Sequence, residues 1–197
     1  MRQKKGTGKY DKYLLRQSVG KQYVCFDLYL SRLELRNFLD HLPQENEVFK
    51  LVSPAGGWSS CSLVMWIATQ CTINNMLVTT LRVGQKELDA IVLLKKKEKI
   101  KNIEFLLSGL AKENKVRGKD YGYSQNFEKI CERKGIKYRY VKNHSKVILL
   151  DTDKGKFVIE TSSNFNENPK IEQFSFEKSE ELHDFYKRIF EELLGVE

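Results

Sequence analysis

The sequence predicts an α/β protein built on a mixed, largely parallel sheet with helices on both faces. Three observations carry this. From Val48 to Val141, short β-rich apolar runs alternate with helical patterns, the rhythm of parallel strands joined by crossover helices. After Val141, "SKVILLD" and "KFVIET" flank the turn signal "TDKG" and predict an antiparallel hairpin. The chain then closes on "SEELHDFYKRIFEELL", an amphipathic helix.

Taken in order, residues 1–20 carry Arg2, Lys4, Lys5, Lys9, Lys12 and Arg16 against the single acid Asp11, and read as a basic, flexible arm. Residues 21–47 form a strand-helix extension. "YVCFDLYLS" alternates as a strand, and Ser31 with Glu34 makes a capping box that starts a helix before Pro43. Residues 48–197 form the main domain. "VFKLVS" is a buried strand, "PAGGWSS" a turn and "SCSLVMWIATQ" an apolar helix. "NMLVTTLRV" and "NIEFLLSG" are strands on either side of the helix "QKELDAIVLLKKK". A polar loop, "KENKVRGKDYGYS", leads to the helix "QNFEKICERKG" and the strand "IKYRYV". "IEQFSF" follows the hairpin as one more strand. The terminal helix is capped by Ser179 and carries Leu182, Phe185, Ile189 and Leu193 as its apolar stripe. No internal repeat is present.

The chain has 197 residues, 41% of them hydrophobic, which suits one domain with short extensions. The net charge of +8 favours polyanionic partners, nucleic acid before an anionic membrane surface. Cys25, Cys61, Cys71 and Cys131 form no C-x-x-C pair and lie in or beside apolar segments, as free buried thiols in a reducing compartment do. The amino terminus lacks the apolar core of a signal peptide, and no run is long enough to span a membrane. A cytoplasmic protein is expected.

The chemistry concentrates in "NHSKVILLDTDKGKFVIETSSNFNENPKIEQ", Asn143 to Gln173. Residues two apart on a strand share a face, so His144 and Lys146 are expected to project together. A neutral imidazole can attack phosphorus while an adjacent ammonium holds the phosphate oxygens, and that pair needs no metal. Asp151 points to the opposite face if the strand is regular, and enters the catalytic set as an orienting or structural acid. Ser162, Ser163 and Asn164 end the paired strand, so hairpin geometry returns them near His144, where hydroxyl and amide donors suit a phosphate oxygen. Glu172 opens the next strand and is placed to take the other imidazole N–H.

These residues resemble the phospholipase D superfamily, whose signature is H-x-K-x(4)-D followed by a G-S-x-N-like segment. His144, Lys146 and Asp151 match the first part, and Thr161-Ser162-Ser163-Asn164 matches the second with Thr in place of Gly. The resemblance covers roughly Val48 to Leu194 and is tightest in Asn143–Glu172. It implies a metal-independent phosphodiesterase without a cofactor. In that family one histidine attacks and becomes a phosphohistidine while another protonates the leaving group. This chain holds one such motif. His41 and His183 lack the lysine and aspartate at the required offsets, and His183 reads as a surface or boundary residue. The resemblance therefore implies a homodimer, as in bacterial single-motif nucleases, with DNA as the expected substrate. The rivals are a DNA-binding module of the same fold and a lipid or other phosphodiesterase.

Two further places are candidates for phosphate contact. In "SPAGGWSS", Gly56, Gly57 and Ser59 stand between a strand and a helix, where backbone N–H groups can meet an anion; Ser59 also reads simply as a helix cap. The run Lys95, Lys96 and Lys97, with Lys99 and Lys101, is joined by Arg117 and Lys119 in the polar loop; with Lys4 and Lys5 of the arm, these are the candidate nucleic-acid contacts.

Overall fold

The computed structural model describes residues 22–25, 39–53, 57–111, 115–116, 119–120 and 123–194. The elements are β1 (Gln22–Cys25), β2 (Glu47–Ser53), α1 (Ser60–Gln70), β3 (Ile73–Thr80), α2 (Gln85–Lys96), β4 (Ile100–Ser108), β5 (Lys115–Val116), β6 (Lys119–Asp120), α3 (Tyr123–Lys134), β7 (Lys137–Val141), β8 (Val147–Thr152), β9 (Gly155–Thr161), β10 (Glu172–Lys178) and α4 (Glu180–Leu194). The basic arm and the helix expected from Ser31 lie outside the described residues.

One 8-stranded sheet runs in the order β1-β2-β10-β9-β8-β3-β4-β7, and β5 and β6 pair in a separate small hairpin within the stretch expected as a loop. The pairs β1–β2, β3–β4 and β4–β7 are parallel. β2–β10, β10–β9, β9–β8 and β8–β3 are antiparallel. Following these pairings, only β8 and β10 run against the other six strands. The sheet is mixed and largely unidirectional, as the alternation of strands and helices predicts. β1, from the segment expected as an extension, joins it as an edge strand.

Alternation along the strands sends side chains to two apolar layers. Ile148 and Leu150 of β8 enter the larger cluster with Phe105, Phe157 and Phe176, together with Leu63 and Ile67 of α1, Leu88 and Ile91 of α2, and Phe127 and Cys131 of α3. Val147 and Leu149 enter the smaller cluster, covered by Leu182, Tyr186, Ile189 and Phe190 of α4. Three helices thus cover one face and one helix the other. The stripe of α4 is rotated from the expected one. Tyr186 and Phe190 face the sheet because the Tyr186 hydroxyl donates to the Glu160 carboxylate, while Phe185 packs edge-on against Tyr186. α1 is apolar around most of its circumference because it is covered on most sides, with seven of its residues buried.

The β8–β9 hairpin turns on Asp153 and Lys154, as "TDKG" predicts. Gly155 takes φ +116°, and a Cβ there would meet Lys178 Cε at 2.7 Å. Ser179 caps α4 by accepting the Leu182 N–H at 3.1 Å, as expected. Cys61, Cys71 and Cys131 are buried thiols outside any disulfide, and burial pushes the Cys131 thiol up to about 12. Among the described residues no helix is long and apolar enough to cross a membrane.

Candidate active site

The carboxyl ends of β2, β3, β4, β7 and β9 and the starts of β8 and β10 meet at one edge of the sheet, the place where open α/β sheets bind ligands. His144 and Lys146 sit at this edge, in the loop between β7 and β8 rather than on the strand itself. His144 is exposed, and its ring makes no hydrogen bond with the described residues; Lys146 is half-buried and its Nζ donates to the His144 carbonyl at 3.2 Å.

The loop is fastened on both sides of His144. Asn143 Oδ1 accepts the Ser145 N–H at 2.8 Å and the Ser145 hydroxyl at 2.6 Å. The Ser145 and Thr79 hydroxyls lie 2.9 Å apart, and Thr79 Oγ1 also accepts the Val147 N–H at 2.9 Å. Asn143 Nδ2 reaches the Leu106 carbonyl at 3.4 Å. The exposed imidazole therefore rides on a loop whose neighbours are tied to β3 and β4. The "Asn-His-Ser" sequence carried the signal for this, since Asn bonds its own backbone two residues on.

The Ser/Asn turn reaches the same edge. The Thr161 N–H donates to the Lys146 carbonyl at 3.1 Å, so the end of β9 lies directly beside the histidine loop. Thr161 Oγ1 donates to the Gln173 carbonyl at 2.8 Å and accepts the Ser163 N–H at 2.9 Å. The Ser162 hydroxyl donates to the Glu172 carboxylate and accepts the Gln173 N–H at 3.1 Å. Asn164 Oδ1 accepts the Leu81 N–H at 3.3 Å, and its Nδ2 has no partner among the described residues. Asn164 is thus the turn residue with a donor to spare. Glu172 is buried, and its second oxygen accepts Asn168 Nδ2 at 2.6 Å. It braces the turn and makes no bond to His144, so the expected tautomer-fixing contact is absent among the described residues.

The end of β3 is the common anchor. Thr79 holds Ser145, and Leu81, two residues on, holds Asn164. Two residues of strand span about 6.6 Å. Between them, Thr80 Oγ1 accepts the Phe165 N–H at 3.0 Å. The amino end of α1 also abuts this turn, with the Ser60 hydroxyl 3.4 Å from the Ser163 and Asn164 carbonyls. Ser59 is buried and precedes the helix, its N–H donating to Ser62 Oγ at 3.3 Å, which matches the cap reading. Gly57 is half-buried beside it, and Gly56 lies outside the described residues.

Other expected residues are elsewhere. Asp151 is five residues into β8, which carries it toward the opposite edge of the sheet. There it accepts Asn75 Nδ2 at 2.8 Å and lines a groove of about 630 Å³ with Asn102, Lys156 and His183. It is not gathered with His144, because β8, six residues long, separates the two edges. Lys95, Lys96 and Lys97 end α2, which returns the chain to the start of β4; they too lie at the far edge, Lys95 Nζ donating to the Lys101 carbonyl at 2.6 Å. Lys119 lies in β6, while the Lys119 side chain, Arg117, Lys4 and Lys5 are outside the described part.

His183 is buried instead of lying at the surface, with Nδ1 3.2 Å from Asp184. Burial holds its imidazole below the ordinary range, against the upward pull of Asp184. For Asp184 burial pushes upward, but Lys156 and His183 outweigh it and lower the carboxyl. His41 stands between Asp40 and Glu47 near the start of β2, its Nε2 3.3 Å from Glu47. Of the three histidines, only His144 is at the carboxyl edge.

No family model and no curated protein matches this chain. Solved structures do. The crystal structure of polyphosphate kinase from Porphyromonas gingivalis superposes with a TM-score of 0.57 at 16% identity, over 80% of this chain and 28% of that one. The crystal structure of phosphatidylserine synthase from Haemophilus influenzae Rd KW20 gives 0.51 at 12% identity, over 72% of this chain and 37% of that one. The chain therefore has a phospholipase D-like fold and spans about a third of the length of these two structural neighbours.

Proposed function

We propose that this protein is a metal-independent phosphodiesterase, a DNA endonuclease that works through a phosphohistidine in a site shared by two copies of the chain. The observation that supports it best is the double anchorage on β3, which sets the His144 loop and the Asn164 turn side by side at the carboxyl edge. In this reading the exposed imidazole of His144 attacks phosphorus, and the leaving alkoxide departs on the opposite side. Lys146 and the free amide donor of Asn164 hold the oxygens that gain charge in the transition state. Water then hydrolyses the phosphorus–nitrogen bond and restores the imidazole.

The leaving oxygen needs a proton from an acid on the far side of phosphorus. Neither His41 nor His183 reaches this edge, so the reading assigns the acid to His144 of a second copy across a two-fold axis. The net charge of +8 supports a polyanionic substrate.

The test is incubation of the purified protein with plasmid in EDTA, beside the His144→Ala protein. Cleavage by wild type alone is expected, as is a solution mass near twice 23.1 kDa. Full cleavage by His144→Ala, or strict dependence on Mg²⁺, overturns the mechanism. The single histidine at the edge also favours a second reading, a DNA-binding module of the same fold; a monomer that binds plasmid without cutting it selects that reading.

A further inference from the structure

Six exposed lysines gather at the pole of the sheet opposite His144. Lys97 follows α2, Lys99 and Lys101 enter β4, Lys134 ends α3, Lys137 opens β7 and Lys154 lies in the β8–β9 turn; all six are exposed. Cations are favoured at helix C-termini, which accounts for Lys97 and Lys134. It does not account for the four that come from strands and a turn. Four carboxylates lie in the same region: Glu98 between Lys97 and Lys99, Asp153, which accepts the Thr72 N–H at 3.0 Å, Glu132, which accepts the Tyr138 hydroxyl at 3.0 Å, and Asp151, which accepts the Asn75 amide; the six lysines outnumber them. Five chain segments thus converge to place like charges on one surface, and their repulsion is relieved when a polyanion covers them.

We propose that this pole is a second nucleic-acid contact surface, which holds the backbone of the same DNA at a distance from the scissile phosphate. The proposal rests on the reading that DNA is bound at the His144 edge. The distance follows from the sheet. β4 has 9 residues and separates the two poles, about 30 Å at 3.3 Å per residue. Duplex DNA covers that length in about 9 base pairs, at 3.4 Å each. A shorter duplex touches one pole; a longer one lying along the strands touches both.

The experiment measures binding in the His144→Ala background by fluorescence anisotropy, with labelled duplexes of about 8 and about 24 base pairs. One variant carries Lys97→Glu, Lys99→Glu and Lys101→Glu. A second, on different elements, carries Lys134→Glu and Lys137→Glu, so that misfolding of one, read by circular dichroism, leaves the other. The parent is expected to bind the long duplex at least tenfold more tightly than the short one, beyond the statistical gain in sites. Both variants should lose that advantage and keep the short-duplex affinity. The slope of log affinity against log salt on the long duplex should fall by about 0.9 for each lost phosphate contact. Equal affinity of parent and variants for the long duplex overturns the pole while leaving the reading of the His144 edge standing. Equal losses on both lengths also overturn it, since the lysines then act everywhere. A parent that binds neither duplex but binds phosphatidylserine vesicles overturns both readings together.

Discussion

The Thr79 and Ser145 hydroxyls, 66 residues apart in sequence, meet at 2.9 Å and fix the loop of His144 to the end of β3. Thr79 is buried, and its oxygen is also the partner of the Val147 N–H. Thr79→Val keeps the shape and strands that N–H, so urea unfolding should show a loss of about 1–3 kcal/mol. Ser145→Ala leaves the Val147 bond in place and should cost about 0.5–1.5 kcal/mol. Under the proposed mechanism its cleavage rate should fall more than its affinity for DNA. A Ser145→Ala protein with unchanged kcat would show that the clamp does not position the imidazole.

Thr161 stands where the resembling family has glycine, and its hydroxyl explains how the turn manages without one. It ties the turn to β10 through Gln173 and to itself through Ser163. Thr161→Ser retains both bonds and should be within about 0.5 kcal/mol of wild type. Thr161→Gly loses both and adds backbone entropy, for an expected loss of about 1–3 kcal/mol in denaturant midpoints. Equal stability of the two variants would remove this account.

The buried His183 should make stability depend on pH. Burial is the main cause of its lowered imidazole; Asp184 and Asp151 pull it up and Lys156 pushes it down. The unfolded chain takes up this proton near pH 6.5, about where a free histidine titrates, and the folded chain only at lower pH. The unfolded state thus binds more protons in that window, and stability falls as pH drops through about 6.5, by at most about 1.4 kcal/mol per pH unit. His41 works in the opposite direction: the Asp40 side chain raises it, so its contribution is present at low pH and fades as pH rises. Comparing wild type with His183→Phe between pH 7 and pH 5 isolates the buried group, and the variant should show the flatter profile.

Phe176 is fully buried, with ring centroids of Phe49 at 6.1 Å and Phe157 at 5.7 Å. Phe176→Ala should cost about 3–5 kcal/mol, because the rings around it belong to β2, β9 and, with Trp66, α1, and cannot all close the gap. A cost below about 1 kcal/mol in chemical denaturation would mean that the site collapses freely.

Much of this fold is legible in local pattern. The alternation of runs gives the strands, "TDKG" gives the hairpin, and Ser179 gives the start of α4, because each depends on neighbours in sequence. The carboxyl-edge set His144, Lys146, Ser162, Asn164 and Glu172 is legible for the same reason: a tight hairpin followed by a short return to β10 brings its two ends together. The distance of Asp151 from His144 is not legible in the same way, because alternation specifies a face, while position along the strand specifies an edge. The location of the lysine run depends on topology, which local pattern does not give: a crossover helix must end at the start of its next strand, so Lys95–Lys97 fall at the amino pole. The Thr79–Ser145 contact had no local signal at all. It exists only once β3 and β8 are adjacent, and nothing in "VTTLRV" distinguishes Thr79 from any other β-branched residue.

The position of β10 between β2 and β9 sets the order in which the chain can be completed. Until the last third is made, β2 has only the four-residue β1 as a neighbour, and its contact with β10 closes a loop in which Lys50 meets Ser175 across 125 residues. Such long-range pairing is slow, since loop entropy is lost before any strand bond repays it. On a ribosome, α1, β3, α2 and β4 can assemble early as a parallel unit, while β2 waits with one side unpaired. Its buried Val48, Phe49, Leu51 and Ser53 mark the stretch that a chaperone would have to shield during synthesis.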